Sequence, residues 1–245
     1  TGGAINFITV APELGAFRFK QVLTAGNDSL FKTRTSANLP LGENAAAQIS
    51  YFHAQKDGPT RNLGTGVSRF GDQDRDAYRG AFRWQPSDKL DLRYTYDRTE
   101  SNDTPAYAAA VPLYPAKGDR PKDSSTFVRN LERNDITSQG HNFTISWDVA
   151  ENLQLKSVTG YRELDSFINQ NYAPGAFGPF PASRTEFHQK QEQVSEELQA
   201  IGNVGDRFDY VLGLYYFSEE AEGQDTALQF ANRLIARSIT AENKA

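Results

Sequence analysis

Three aspartates, Asp72, Asp74 and Asp76, alternate as they would at the start of a calcium-binding loop. Such a loop needs glycine at its sharp turn and a bidentate glutamate at its end. Those two positions hold Ala77 and Arg83, so calcium is discounted there. Gly64-Thr65-Gly66 does not lead from a strand into a helix and is no dinucleotide loop. His53, His141 and His188 are the only histidines, and none has metal-ligand spacing. They fall near the loop-side ends of predicted strands; a composite site is one reading, and scattered lumen or interface histidines the plainer one. Glu192, Glu196 and Glu197 resemble a carboxylate pair for glycoside hydrolysis, but on a strand Glu196 and Glu197 point to opposite faces. There is no Gly-x-Ser-x-Gly elbow and no cysteine to act as nucleophile. No metal or cofactor is expected, and catalysis is not the expected function.

Binding is a better prospect. The segment from Asn169 to Phe180 sets Tyr172, Phe177 and Phe180 among glycines and prolines, where aromatic rings could stack on a catecholate or a sugar. The bland reading is that they pack the loop against its neighbours. The loop from Ser101 to about Ile136 carries Arg120, Lys122, Arg129 and Arg133, which would attract an anionic chelate. Asp103, Asp119, Asp123, Glu132 and Asp135 sit among them, so an ordinary solvated loop of mixed charge is the competing reading.

The elements that would carry these loops alternate with period two. In Leu90–Glu100, leucine and tyrosine at 90, 92, 94 and 96 oppose Asp91, Arg93, Thr95 and Asp97. Similar runs are predicted over Ala16–Ala25, Leu30–Leu41, Ala45–Gln55, Asp74–Gln85, the stretch around Phe143–Val149, Leu153–Asp165, Gln189–Gly202 and Phe208–Glu222. In the last of these both faces are apolar, and Gly223–Ala245 reads equally as helix or loop. Four short turns recur, at Leu41–Asn44, Pro86–Lys89, Val149–Asn152 and Asn203–Asp206, with long polar loops between them. Short turns at one end and long loops at the other describe an outer-membrane β-barrel. Strands of this length exceed those of most soluble sheets and match tilted membrane strands. A face bearing Arg79, Arg83, Asp91, Arg93, Asp97, Asp148 and Lys156 cannot lie in a dry core but can line a wet lumen. Tyr78, Trp84, Tyr94, Tyr96 and Trp147 read as lipid-facing or girdle residues, with both tryptophans just before a short turn.

Composition agrees. A net charge of −5, from 26 basic and 31 acidic residues well mixed along the chain, argues against nucleic-acid binding. Mean hydropathy is −0.62, and no apolar run approaches the length of a membrane helix. A barrel shows only every second strand residue to lipid, so low hydropathy does not count against it. The 245 residues include no Met and no N-terminal signal pattern, so a processed product or an excerpt is expected.

The first ten residues, Thr1-Gly2-Gly3-Ala4-Ile5-Asn6-Phe7-Ile8-Thr9-Val10, resemble the end of the plug domain of TonB-dependent outer-membrane receptors. Further matches follow in order: Asp57-Gly58 with Asn62; Arg83-Trp84-Gln85-Pro86; Leu155-Lys156-Ser157-Val158-Thr159-Gly160-Tyr161-Arg162; Gln193-Val194-Ser195-Glu196-Glu197-Leu198; and Val211-Leu212-Gly213-Leu214-Tyr215-Tyr216-Phe217. The family has a plug of over a hundred residues inside a 22-stranded barrel, against about nine barrel strands here, and this chain ends in Asn243-Lys244-Ala245 rather than on an aromatic-terminated strand.

The resemblance therefore implies an internal fragment. Residues 1–13 would end the plug, and residues 14–245 would form the N-terminal part of an all-β, antiparallel transmembrane barrel. It also implies active uptake of a scarce solute, most commonly an iron–siderophore complex. Expected partners are outer-membrane lipid and, through a segment absent from this chain, TonB. Two rivals remain: a complete small outer-membrane barrel acting as adhesin or passive channel, and a soluble glycan-binding β-sandwich.

Overall fold

The computed structural model describes residues 9–109, 121–172, 183–205, 207–229 and 233–244, and every regular element among them is a strand. The order is β1 (Arg18–Ala25), β2 (Phe31–Pro40), β3 (Ala45–Lys56), β4 (Thr60–Arg61), β5 (Arg69–Phe70), β6 (Gln73–Ser87), β7 (Leu90–Ser101), β8 (Asp135–Ala150), β9 (Leu153–Tyr172), β10 (Ser183–Val204), β11 (Phe208–Gln229) and β12 (Arg233–Lys244). Ten of them form one antiparallel sheet in the order β1-β2-β3-β6-β7-β8-β9-β10-β11-β12, and β4 pairs with β5 by itself. Each long strand thus lies beside its neighbour in sequence, the meander expected of a barrel wall. Within the described residues the sheet does not close, and β1 and β12 are its two edges.

Two expectations about extent need correction. Residues 223–229 and 233–244 are strand rather than helix or loop: β11 runs on to Gln229 and β12 pairs with it from Ser218 to Gln229, so the sheet has ten strands against the nine or so expected. β9 and β10 also continue beyond Asp165 and before Gln189, so that Asn169–Tyr172 belongs to a strand. The backbone ladder holds these ends. In β9 the apolar Phe167 and Ile168 fall on opposite faces among polar neighbours, and the period-two signal fades.

Directly opposed residues in antiparallel strands share a face. Leu90 opposes Trp147, Trp147 opposes Leu155, Leu155 opposes Ala200, and Ala200 opposes Leu212. The same register puts Tyr78, Trp84, Tyr94 and Tyr96 on this face, Trp84 opposite Leu92 and Phe82 opposite Tyr94. Tyr210, Leu212, Leu214 and Tyr216 therefore belong to it, while Val211, Tyr215 and Phe217 lie on the other. Trp84, Trp147, Leu198, Leu212 and Leu214 are all exposed. A continuous exposed apolar face across so many strands is unfavourable in water and suits a hydrocarbon solvent. The sandwich reading required a second sheet over it, and there is none among the described residues.

Four connections at one end of the sheet are short: Leu41–Asn44, Asp88–Lys89, Glu151–Asn152 and the residues between Val204 and Phe208. The opposite end carries the loops between β3 and β6 and between β7 and β8.

Candidate ligand-binding site

The charged face of the sheet is a bonded wall. Asp91 accepts from Arg83 Nε at 2.7 Å and from Arg93 Nε at 2.6 Å. Arg162 reaches from β9 past Gly140 to Asp97 on β7, with Nη2 at 3.2 Å from both carboxylate oxygens. Arg79 donates to Gln48 Oε1 at 2.9 Å and to Thr9 Oγ1 at 2.9 Å. This last bond lays the segment before β1 against the charged face, at the end of the stretch that the sequence assigned to a plug. Residues 1–8 lie outside the described residues.

The two long loops form the most apolar interior of the described chain. Phe70, Val128 and Leu131 are fully buried together, with Val67 and Tyr107 packed on them. The Phe70 and Tyr107 ring centroids are 5.0 Å apart. Backbone bonds cross between the loops. Arg61 N donates to Lys122 O at 2.8 Å, Leu131 N to Thr65 O at 2.9 Å, and Val67 N to Leu131 O at 2.9 Å. Two glycines permit the approach. A Cβ on Gly64 would stand 2.3 Å from Val128 O, and one on Gly66 would stand 2.2 Å from Leu131 O. Gly66 also has φ +102°, which side chains other than glycine rarely adopt. Gly64-Thr65-Gly66 is thus a packing device, which its sequence reveals only as a failed dinucleotide motif.

The proposed ligand residues fall unevenly on this platform. Tyr172 ends β9, is exposed, and bridges to Ala108 of the β7–β8 loop. Arg129 Nη1 is hydrogen-bonded to Thr126 O at 2.9 Å and Val128 O at 3.1 Å. Arg133 Nη1 is bonded to Asn102 O at 2.7 Å, and its Nη2 lies 3.5 Å from Asp72 Oδ2. Both arginines therefore brace loop backbone. Arg120, Phe177 and Phe180 lie outside the described residues. Asp72 also accepts from Gly58 N at 2.7 Å, which ties it into the loop and away from Asp74 and Asp76 on β6.

Sequence reasoning missed one grouping. His53 opposes Asp76 across β3 and β6, with Nδ1 3.0 Å from Asp76 Oδ1. Pairing the alternating faces of these two strands would have found it.

No family model and no curated protein matches the chain. Solved structures do match. The siderophore receptor PiuA from Acinetobacter baumannii superposes with TM-score 0.67 at 13% identity, over 94% of this chain and 38% of that one. The copper transporter OprC gives 0.64 at 14% identity, over 94% and 33%. The ferric yersiniabactin uptake receptor FyuA from Yersinia pestis gives 0.59 at 10% identity, over 97% and 44%. The chain thus spans a third to under a half of these structures. At such identities the likeness is one of fold alone: the chain has the fold of part of each of these structures.

Proposed function

We propose that this chain is part of the wall of an outer-membrane receptor that takes up a scarce solute by TonB-dependent transport, with an iron–siderophore complex as the solute class. One observation carries the reading: the sheet has tight turns at one end and, at the other, two long loops locked into a buttressed platform. A passive pore has no need of such an assembly, whereas a receptor needs a pre-formed outer surface for capture.

In this account residues 1–13 end a plug and residues 14–245 form barrel wall. Tyr78, Trp84, Tyr94, Tyr96 and Trp147 anchor the wall in lipid, the two tryptophans at the periplasmic boundary. The bonded arginines and aspartates of the opposite face line the lumen. Tyr172 offers a ring beside the platform, and Arg129 and Arg133 hold the loop that presents a positive surface to an anionic chelate. The edges β1 and β12 are paired by further strands, because an unpaired ladder in hydrocarbon costs several kcal/mol per group.

The test is uptake of radio-iron by a strain lacking the gene, offered as catecholate, hydroxamate and phenolate chelates. The proposal expects loss of uptake for one class, restored by the intact gene and dependent on TonB. Unchanged uptake of every class, with no chelate bound by the purified protein, would overturn it.

A further inference from the structure

We infer that His53, Asp74 and Asp76 form a site for a divalent transition-metal cation at the seam of β3 and β6, on the face opposite the charged wall. Strand alternation puts Asp74 and Asp76 on one face and sends Arg75 to the other, where it is bonded to Asp103. The register sets His53 directly across from Asp76 and Gln55 across from Asp74. One donor atom from each of His53, Asp74 and Asp76 lies within 4.8 Å of the others. An imidazole nitrogen with two carboxylate oxygens suits a borderline cation such as zinc, and three protein donors leave a coordination position open.

The surroundings organise these donors. The Tyr51 hydroxyl donates to Asp76 Oδ1 at 2.7 Å, orienting the carboxylate as outer-shell partners do. Tyr51 itself is held against Tyr78, with ring centroids 5.2 Å apart.

An independent electrostatic observation points to a cation. On its other side Asp76 is directly opposed by Glu100 of β7. Like charges in opposed positions of a sheet are destabilising. Arg98 compensates Glu100 and Arg75 compensates Asp103, so neither arginine is engaged by Asp74 or Asp76. Among the described residues the only ion-pair partner of Asp76 is His53, and Asp74 has none. A bound divalent cation would offset the two neighbouring carboxylates of Asp74 and Asp76. The site does not depend on the uptake proposal, because it lies on the other face from the lumen.

Zinc chloride titrated calorimetrically into the full-length protein in detergent tests this. The expected result is one zinc per chain, with affinity reduced roughly ten- to hundred-fold in Asp76→Asn, Asp74→Asn and His53→Ala. His141→Ala, on the same face but away from the cluster, should bind as the parent does. Circular dichroism confirms that each variant keeps its strand signal, and Asp74→Asn, a near-isosteric change, serves if His53→Ala fails to fold. Absence of zinc binding by the parent, or equal affinity in the parent and the Asp76→Asn and Asp74→Asn variants, would overturn the assignment.

Discussion

Asn38 on β2 and Glu13, in the segment before β1, are joined at both ends of an amide. Asn38 Oδ1 accepts from Glu13 N at 2.9 Å, and Asn38 Nδ2 donates to Glu13 O at 2.9 Å. A second bond from Nδ2 reaches Ala16 O at 2.6 Å, and Asn38 is buried beneath the strap it holds. This clamp fixes where the chain leaves the charged face and enters the sheet. Replacing Asn38 with alanine removes all three of these hydrogen bonds, at about 0.5–1.5 kcal/mol each. Limited proteolysis of the folded protein should then cut within residues 9–17, where the parent resists.

The same strap carries a pH response. Arg18 Nε donates to Glu13 Oε2 at 2.5 Å, and this hydrogen bond holds the Glu13 carboxyl below its ordinary value of 4.5. A carboxyl depressed in the folded state contributes fully above that ordinary value, and the contribution is lost as pH falls through the lowered one. Cleavage of the strap by an acid-active protease should therefore rise only below pH 4.5, as pH falls through the lowered value. Glu13→Gln should be cut equally at all acidic pH values.

The loop lock makes a third prediction. Gly66→Ala places a methyl against Leu131 backbone and forces alanine to φ +102°. The φ alone costs about 1–3 kcal/mol. Nicking of the β3–β6 and β7–β8 loops in the folded protein should accelerate by roughly tenfold or more, since local opening governs proteolysis. Gly80→Ala is the contrast, because nothing lies within 4 Å of the Cβ it adds.

Neighbouring positions on β11 separate the two faces. Leu214 shares the face of Leu198 and Trp147, and Tyr215 lies on the other. Leu214→Arg should destabilise the barrel in lipid by about 2–4 kcal/mol if the residue sits near the bilayer midplane, and Tyr215→Arg by much less. Urea titration in lipid vesicles reads the difference.

How much of this was legible in the sequence follows from what each part depends on. β7 declares itself because Leu90, Leu92, Tyr94 and Tyr96 meet one solvent and Asp91, Arg93 and Asp97 another. β11 is apolar on both sides, so the assignment of Leu212 and Leu214 needed the register with β10. The outer halves of β9 and β10 show little contrast between their faces. Their strand character comes from the neighbouring backbone, which no local pattern reports. The loop lock is still further from view, because Gly64 is constrained by Val128, far along the chain. The charge of Arg129 and Arg133 is plain in the sequence, yet their bonds to loop carbonyls depend on a loop path that the sequence does not display.

The orientation of the sheet is the claim on which the rest depends, and single cysteines test it directly. These 245 residues contain no cysteine, so against the unsubstituted protein as background each introduced thiol reports its own site. Leu63 is exposed in the β3–β6 loop, and Asp88 lies in the short turn between β6 and β7. The measurement is labelling with a membrane-impermeant maleimide in intact cells and again after the outer membrane is permeabilised. The account predicts that Leu63→Cys labels in intact cells and Asp88→Cys only after permeabilisation. Labelling of Asp88→Cys in intact cells, with Leu63→Cys protected, would contradict it.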